Sequence, residues 1–164
     1  MYIFVDKILD LAKKNEKTLQ TSLGGSCYQK AQPWRNPKTK YYASIQSYPQ
    51  KLYPGFCSGT GYVSTLHLAN KVVETSPNIP FFHLEDVYLA LVLKKIEYKL
   101  TWYDGFVQGA RRCTNKGSGK TFTIHEIKPE LMRKMWNSCG KTWKSEENFK
   151  VSPQTIRTTK NWIL

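Results

Sequence analysis

Acidic residues are scarce in this chain: 12 Asp and Glu stand against 25 Lys and Arg in 164 residues, for a formal charge of +13. Such an excess implies an anionic partner, and charge alone leaves that partner open among nucleic acid, an acidic membrane surface and a phosphorylated ligand such as a nucleotide diphosphate. Residues 111–164 hold 12 Lys and Arg against 4 Asp and Glu, a bias that more often marks a solvated basic face than a phosphate-binding patch. Long apolar runs are also missing. No stretch reaches the ~18 residues of a membrane-spanning helix, and Asp6 and Asp10 interrupt the N-terminal segment, so it does not read as a signal peptide. Cysteine is confined to Cys27, Cys57, Cys113 and Cys139 without a Cys-x-x-Cys pair, which argues against a zinc ribbon or a thioredoxin-type site. Four cysteines fit two disulfides in an oxidising compartment or four buried thiols, and three pairings stay open. A Walker loop is lacking too. The run Cys113 to Thr121 ends in Gly119-Lys120-Thr121, but Thr114 occupies the place of the required first glycine and Thr121-Phe122-Thr123-Ile124 reads as a strand where a helix is needed. That excludes a P-loop NTPase.

What the chain does have is apolar and aromatic material: 40% hydrophobic residues with 5 Trp, 10 Tyr and 7 Phe, enough for one domain with its own core and too short for two. The densest stretch is Tyr53-Pro54-Gly55-Phe56-Cys57-Ser58-Gly59-Thr60-Gly61-Tyr62-Val63. Glycines around one small residue let the backbone approach something bulky, while Tyr53, Phe56 and Tyr62 supply flat apolar faces, so the segment predicts the wall of a pocket. A Ser or Thr cap then leads into a helix from Ser64 to Glu74 carrying Leu68, Val72 and Val73. A second helix over Asp86 to Ile96 starts at Glu85-Asp86-Val87-Tyr88, its carboxylates in the first turn where the helix dipole favours negative charge. Taken singly, Gly-x-Gly is a common turn and acids at a helix start are usually caps.

Elsewhere, Met1 to Val5 reads as a strand end, Asp6 as the cap of a helix carrying Ile8, Leu9, Leu11 and Ala12, and Asn15 to Lys17 as its close. Leu19 to Tyr28, with Leu23-Gly24-Gly25-Ser26, predicts a strand with a bulge or sharp bend. Trp34 to Pro54 predicts extended loop and edge strand. Val87, Ala90, Leu91 and Leu93 are available to a core face. Glu97 to Trp102 is strand-like and Tyr103 to Gly109 a glycine-bearing loop. His125 closes a strand, and Pro129 starts a helix through Trp136 that ends near Gly140.

The series Tyr-Pro-x-Phe-Cys-Ser-Gly-x-Gly-Tyr-Val at Tyr53 to Val63, then Ile79-Pro80 and Glu85-Asp86-Val87-Tyr88, closely resembles the C-terminal half of the β-1,3-galactosyltransferase and β-1,3-N-acetylglucosaminyltransferase family. Ala31-Gln32-Pro33-Trp34-Arg35, Lys40-Tyr41-Tyr42 and Tyr48-Pro49 extend the likeness upstream. Ile124-His125 with Lys128-Pro129, Met132 and Trp136 resembles the family's closing segment. The resemblance implies an α/β fold: the C-terminal half of a GT-A, Rossmann-like glycosyltransferase domain, a mixed sheet flanked by helices, incomplete as it stands. It implies residues 1–140 as that portion of a catalytic domain and 141–164 as a basic tail without a match. The implied activity is inverting transfer of galactose or N-acetylglucosamine from a UDP-sugar to a glycan or glycoprotein acceptor in β-1,3 linkage. Asp86 is then the catalytic base and Glu85 its second-shell partner or a contact to the acceptor hydroxyl. Tyr53, Phe56, Gly59, Thr60, Gly61 and Tyr62 line the substrate, and His125 is a metal ligand; a lone His at a strand end is otherwise more often a hydrogen-bonded structural residue.

The implied cofactor is Mn²⁺ or Mg²⁺, yet the Asp-x-Asp motif that holds it in the family is absent from these 12 acidic residues. In the family the corresponding triplet directly precedes the strand that matches Met1 to Val5. The nucleotide-binding half and the membrane anchor are then also missing, so the expected lumenal Golgi location rests on the family alone, and the expectation is a fragment or truncated paralogue inactive as given. Two readings from other classes stand beside this one. A basic, aromatic-rich nucleic-acid module would need basic residues interleaved with Tyr and Phe, which are not found. A non-catalytic partner of a full-length transferase is the other.

Overall fold

The structure, a computed structural model, describes residues 1–109 and 121–139. The basic segment 141–164, residues 113–120 of the Walker-like run, the end of the last helix at Gly140 and the side chains of Cys113 and Cys139 lie outside the described residues. In chain order the elements are β1 (Tyr2–Ile3), α1 (Val5–Lys14), α2 (Glu16–Leu19), β2 (Ser22–Tyr28), β3 (Phe56–Val63), α3 (Leu66–Thr75), a 3₁₀ turn (Ser76–Asn78), α4 (Glu85–Lys95), β4 (Lys99–Trp102), β5 (Phe106–Val107), β6 (Thr123–Ile124) and α5 (Pro129–Cys139).

Among the described residues, two mixed three-stranded sheets carry the fold. In the larger, β2 lies between β3, to which it runs antiparallel, and β4, to which it runs parallel. In the smaller, β6 lies between antiparallel β1 and parallel β5. Neighbouring residues of a strand face opposite ways, and β2 uses both faces. Leu23 joins Cys57, Leu68 and Leu93 under α3 and α4. Gly24 meets Leu19 and Tyr103 on the other face, where Leu11, Val63, Phe106 and Phe122 complete a second cluster. A side chain cannot replace that glycine: a Cβ there would stand 2.6 Å from the Tyr103 ring. The smaller sheet packs through Tyr2, Phe4 and Ile124 onto Met135 of α5.

Several local expectations are corrected. Asp6 does not cap α1: the helix starts two residues earlier than an Asp6 cap implies, Phe4 is the capping position without a side-chain bond, and Asp6 sits in the first turn, where its charge favours the dipole. Leu91 packs partly buried against the Tyr48, Tyr53 and Phe82 cluster as expected, and Val92 is fully buried as well, because the helix is covered on more than one side. Residues 103–109 contain β5 as well as a turn. Thr65 does cap α3, accepting from the Leu68 N–H.

Between β2 and β3 the chain makes no strand over Trp34 to Pro54, only an isolated bridge of Trp34 with Tyr42. Arg35 holds this segment together. Its guanidinium donates to the carbonyls of Ala43 at 2.7 Å, Ser44 at 2.9 Å, Tyr48 at 2.8 Å and Gln50 at 3.0 Å, satisfying backbone acceptors that a strand ladder would otherwise take. Tyr48 and Tyr53 then pack with Phe82 and Val87, which ties the segment to the start of α4.

The β2–β3 ladder is interrupted once. Gly25 pairs with Tyr62 and Cys27 with Cys57, so Ser26 alone opposes Ser58, Gly59, Thr60 and Gly61. The strand therefore swells outward by several residues, a special, enlarged β-bulge. A disulfide between Cys27 and Cys57 closes the ladder on one side of this swelling. Removing it with Cys27→Ser and Cys57→Ser together is expected to cost about 3 kcal/mol of stability, as for a loop of this length. Urea titration of the double variant and of the reduced wild type checks this; an unchanged midpoint for both would show that the ladder holds without the bond.

Candidate active site

The bulge puts the glycine-rich motif against the first turn of α4. An alanine at Gly59 would bring its Cβ to 3.2 Å from Glu85 Oε1, so the missing side chain is what admits the carboxylate. Gly61 has φ +121°, a conformation that side chains disfavour, and its Cβ position lies 3.1 Å from the Thr123 methyl. Thr60, buried between them, accepts a 2.7 Å bond at its carbonyl from the Thr123 hydroxyl, while its own hydroxyl has no partner among the described residues. The bulge is thus clamped between α4 on one side and β6 on the other.

Glu85 and Asp86 occupy the first turn of α4, where unpaired N–H groups and the dipole favour anions. Asp86 is oriented by backbone donors: Oδ1 accepts from its neighbour Val87 at 2.9 Å and Oδ2 from Gly59 at 3.4 Å, the latter at the long end for such a bond. Glu85 is exposed on its outer side and packed on Gly59 on its inner side. Burial, and then the Asp86 charge, push its carboxyl above the ordinary glutamate range. Tyr62 remains 39% exposed. Its phenol is pushed up by burial and then by the charges of Glu85 and Asp86, so it stays neutral and able to donate beside them.

The aromatic residues of the motif divide into two groups. Tyr62 is open to solvent, and Phe56 is half-buried with its ring 5.5 Å from that of Tyr28. Tyr53 is buried, its ring 4.9 Å from Tyr48, 5.8 Å from Phe82 and 6.4 Å from Phe56. Its faces are taken up in the core, and its role there is to seat α4. Thr60 is likewise buried. The residues brought together at an accessible place are Glu85, Asp86, Gly59 and Tyr62.

His125 follows β6, half-buried, with its N–H donating to the Val107 carbonyl at 3.2 Å. It stands two residues beyond Thr123, which touches the bulge. Among the described residues no three His, Cys, Asp or Glu gather as a metal would require, and a single imidazole falls short of the ligand set of a divalent cation. The described residues do not fit the ion on their own.

A family model described as Galactosyltransferase matches residues 1–102, the span from β1 through β4. The chain belongs to the galactosyltransferase family. Beta-1,3-galactosyltransferase 1 of Mus musculus and of Homo sapiens are each 35% identical to it over 108 residues, covering 66% of this chain and 33% of the relative. Beta-1,3-galactosyltransferase 5 of Gorilla gorilla gorilla is 31% identical over 141 residues, covering 84% and 47%. The chain therefore spans a third to a half of the length of these relatives. The galactosyltransferase match includes the whole bulge and both carboxylates, and stops before His125. Among the described residues no helix is long and apolar enough to cross a membrane.

The raised Glu85 carboxyl has a consequence for stability. The unfolded chain ionises Glu85 near its ordinary value of 4.5, the folded chain only at higher pH, so wild type loses stability as pH rises through the folded value. Glu85→Gln removes that loss. Urea midpoints are expected to coincide for wild type and E85Q near pH 4 and to favour E85Q at pH 7, and a pH-independent difference would contradict the assigned environment.

Proposed function

We propose that this galactosyltransferase-family site serves transfer of a hexose, galactose or N-acetylglucosamine, from a UDP-sugar to a glycan acceptor in β-1,3 linkage, with inversion. The observation that carries the reading is the placement of Asp86: an oriented carboxylate at a helix start, with free lone pairs, at the edge of a glycine-lined bulge and beside an exposed tyrosine. Inverting transfer needs a base to take the proton of the acceptor hydroxyl as its oxygen attacks the anomeric carbon. Asp86 is that base. The two backbone donors fix the direction of its carboxylate before substrate arrives, which removes part of the orientational cost of the step.

Glu85, held nearer to protonation, has the chemistry of a hydrogen-bond partner to an acceptor hydroxyl. Tyr62 offers its ring to the apolar face of the acceptor and its hydroxyl to a sugar oxygen. Gly59 and Gly61 keep the wall low enough for a ring to approach. The departing diphosphate calls for positive charge. Mn²⁺ or Mg²⁺ belongs to the proposal as the source of that charge, with His125 as a ligand. The described residues alone do not make that ion's site. A glycoprotein acceptor and a lumenal Golgi setting, with a membrane anchor outside these residues, complete the proposal.

Asp86→Asn keeps the size and the backbone bonds and removes the base. In a protein of the relatives' full length that carries these residues, transfer from UDP-galactose or UDP-N-acetylglucosamine is expected to fall by about 10²–10⁴-fold. Turnover within a few fold of wild type would overturn the assignment.

A further inference from the structure

The segment between β2 and β3 carries a surface that the site above does not use. From Lys17 to Val73 the chain has no Asp or Glu, and residues 29–54 alone hold five Lys and Arg. Arg35 is occupied with backbone carbonyls. The other four, Lys30, Lys38, Lys40 and Lys51, are exposed and have no ion pair among the described residues. Among these cations the same segment exposes Trp34, Tyr41, Tyr42, Ile45 and Leu52, with Trp34 at 60% and Ile45 at 71% of full exposure.

The backbone under these side chains is fixed. Trp34 is bridged to Tyr42, and its ring lies 6.5 Å from that of Tyr41, over which Lys40 Nζ stands at 4.9 Å. Ile45 rides on a turn in which the Ser47 N–H donates to Ser44 Oγ at 2.9 Å and the Tyr48 N–H to the Ser44 carbonyl at 3.0 Å. Apolar groups held in solvent on a pinned backbone mark an interaction surface. Composition selects the partner. Lys is depleted at protein–protein interfaces. A nucleic acid or a glycan takes flat rings, but gives no apolar medium to Ile45 and Leu52. The boundary of a bilayer takes all three kinds of group: Trp and Tyr rings at headgroup level, aliphatic tips just below, and ammonium groups on the phosphates. A stretch without a single carboxylate suits lipids of negative charge.

We propose that residues 30–52 form a peripheral docking surface for an anionic phospholipid bilayer, with Trp34, Tyr41 and Ile45 entering the headgroup region and Lys38, Lys40 and Lys51 on the lipid phosphates. The surface is independent of the transferase reading. Tyr48 and Tyr53 tie the segment to the start of α4, so docking here fixes how the carboxylate site faces the bilayer.

The test mixes the 164-residue chain with vesicles of phosphatidylcholine alone or with phosphatidylserine at physiological salt, and measures partitioning by sedimentation. Binding to the anionic vesicles only is expected. Lys38→Gln with Lys40→Gln is expected to lower it by about 10–30-fold, Trp34→Ala by about tenfold, and Ile45→Ser, at an exposed turn, by a few fold. The basic residues 111–164 also attract such vesicles, so the deciding readout is local: brominated phosphatidylcholine in the anionic vesicles is expected to quench tryptophan emission of wild type by a component that Trp34→Phe lacks. Equal quenching of wild type and W34F, or partitioning that none of the variants changes, overturns the surface. Heparin that alters Trp34 emission where vesicles do not also overturns it, and assigns the face to an anionic glycan instead. Asp86→Asn is expected to bind vesicles as wild type does, so loss of transfer in that variant and loss of docking in W34A are read separately.

Discussion

The four-against-one mismatch between β3 and β2 is the constraint on which the rest depends. An antiparallel ladder in register would point Ser58 to Gly61 alternately into the two layers and leave no room for a carboxylate. By pairing Gly25 with Tyr62 and Cys27 with Cys57, the chain spends those four residues on an excursion. Such an excursion exposes backbone groups that no strand partner satisfies. Here they are met from outside the ladder, the Gly59 N–H by Asp86 and the Thr60 carbonyl by Thr123. The covalent bond from Cys27 to Cys57 keeps the ladder from sliding to absorb the slack.

The elements that supply those outside partners are placed by burial. Leu68 and Leu93 set α3 and α4 on Leu23 and Cys57, and Val87 is locked by Tyr48, Tyr53 and Phe82. The start of α4 has no freedom left once both contacts are made. The Arg35 clasp is therefore more than a loop ornament. By collecting four carbonyls between Ala43 and Gln50 it gives Tyr48 and Tyr53 a rigid base from which to hold the helix start, and through it Asp86.

Much of this was legible in the residues. The helix at Glu85-Asp86 announces itself by acids before an apolar run, the bend in β2 by Gly24-Gly25, and the cap of α3 by Thr65, because each is a local rule with a local cause. The pocket wall was legible as glycines among aromatics. Its geometry was not, since the size of a bulge depends on which residues of two distant strands pair, and no periodicity records that. The cysteine pairing was open for the same reason: Cys27 and Cys57 become neighbours only through the register. Tyr53 looks like Tyr62 in sequence, but one lies before the strand and turns into the core while the other lies within it and faces out. Arg35 belonged to a recognisable motif, yet a residue that serves by binding carbonyls leaves no signature in its own chemistry.

The two adjacent carboxylates stand in different surroundings. Glu85 bears on the glycine wall and on Asp86, and both push it toward the neutral acid. Held nearer to the neutral acid, Glu85 can donate a hydrogen bond as well as accept one. Asp86 is gripped by two backbone N–H groups, Val87 and Gly59, which only an acceptor can satisfy. The bond from Gly59 comes from the bulge itself. Any shift of the bulge therefore moves the donor that aims Asp86, and the same shift moves Phe106 and Thr123 against Gly61. Asp86 and the glycine wall are consequently one mechanical unit.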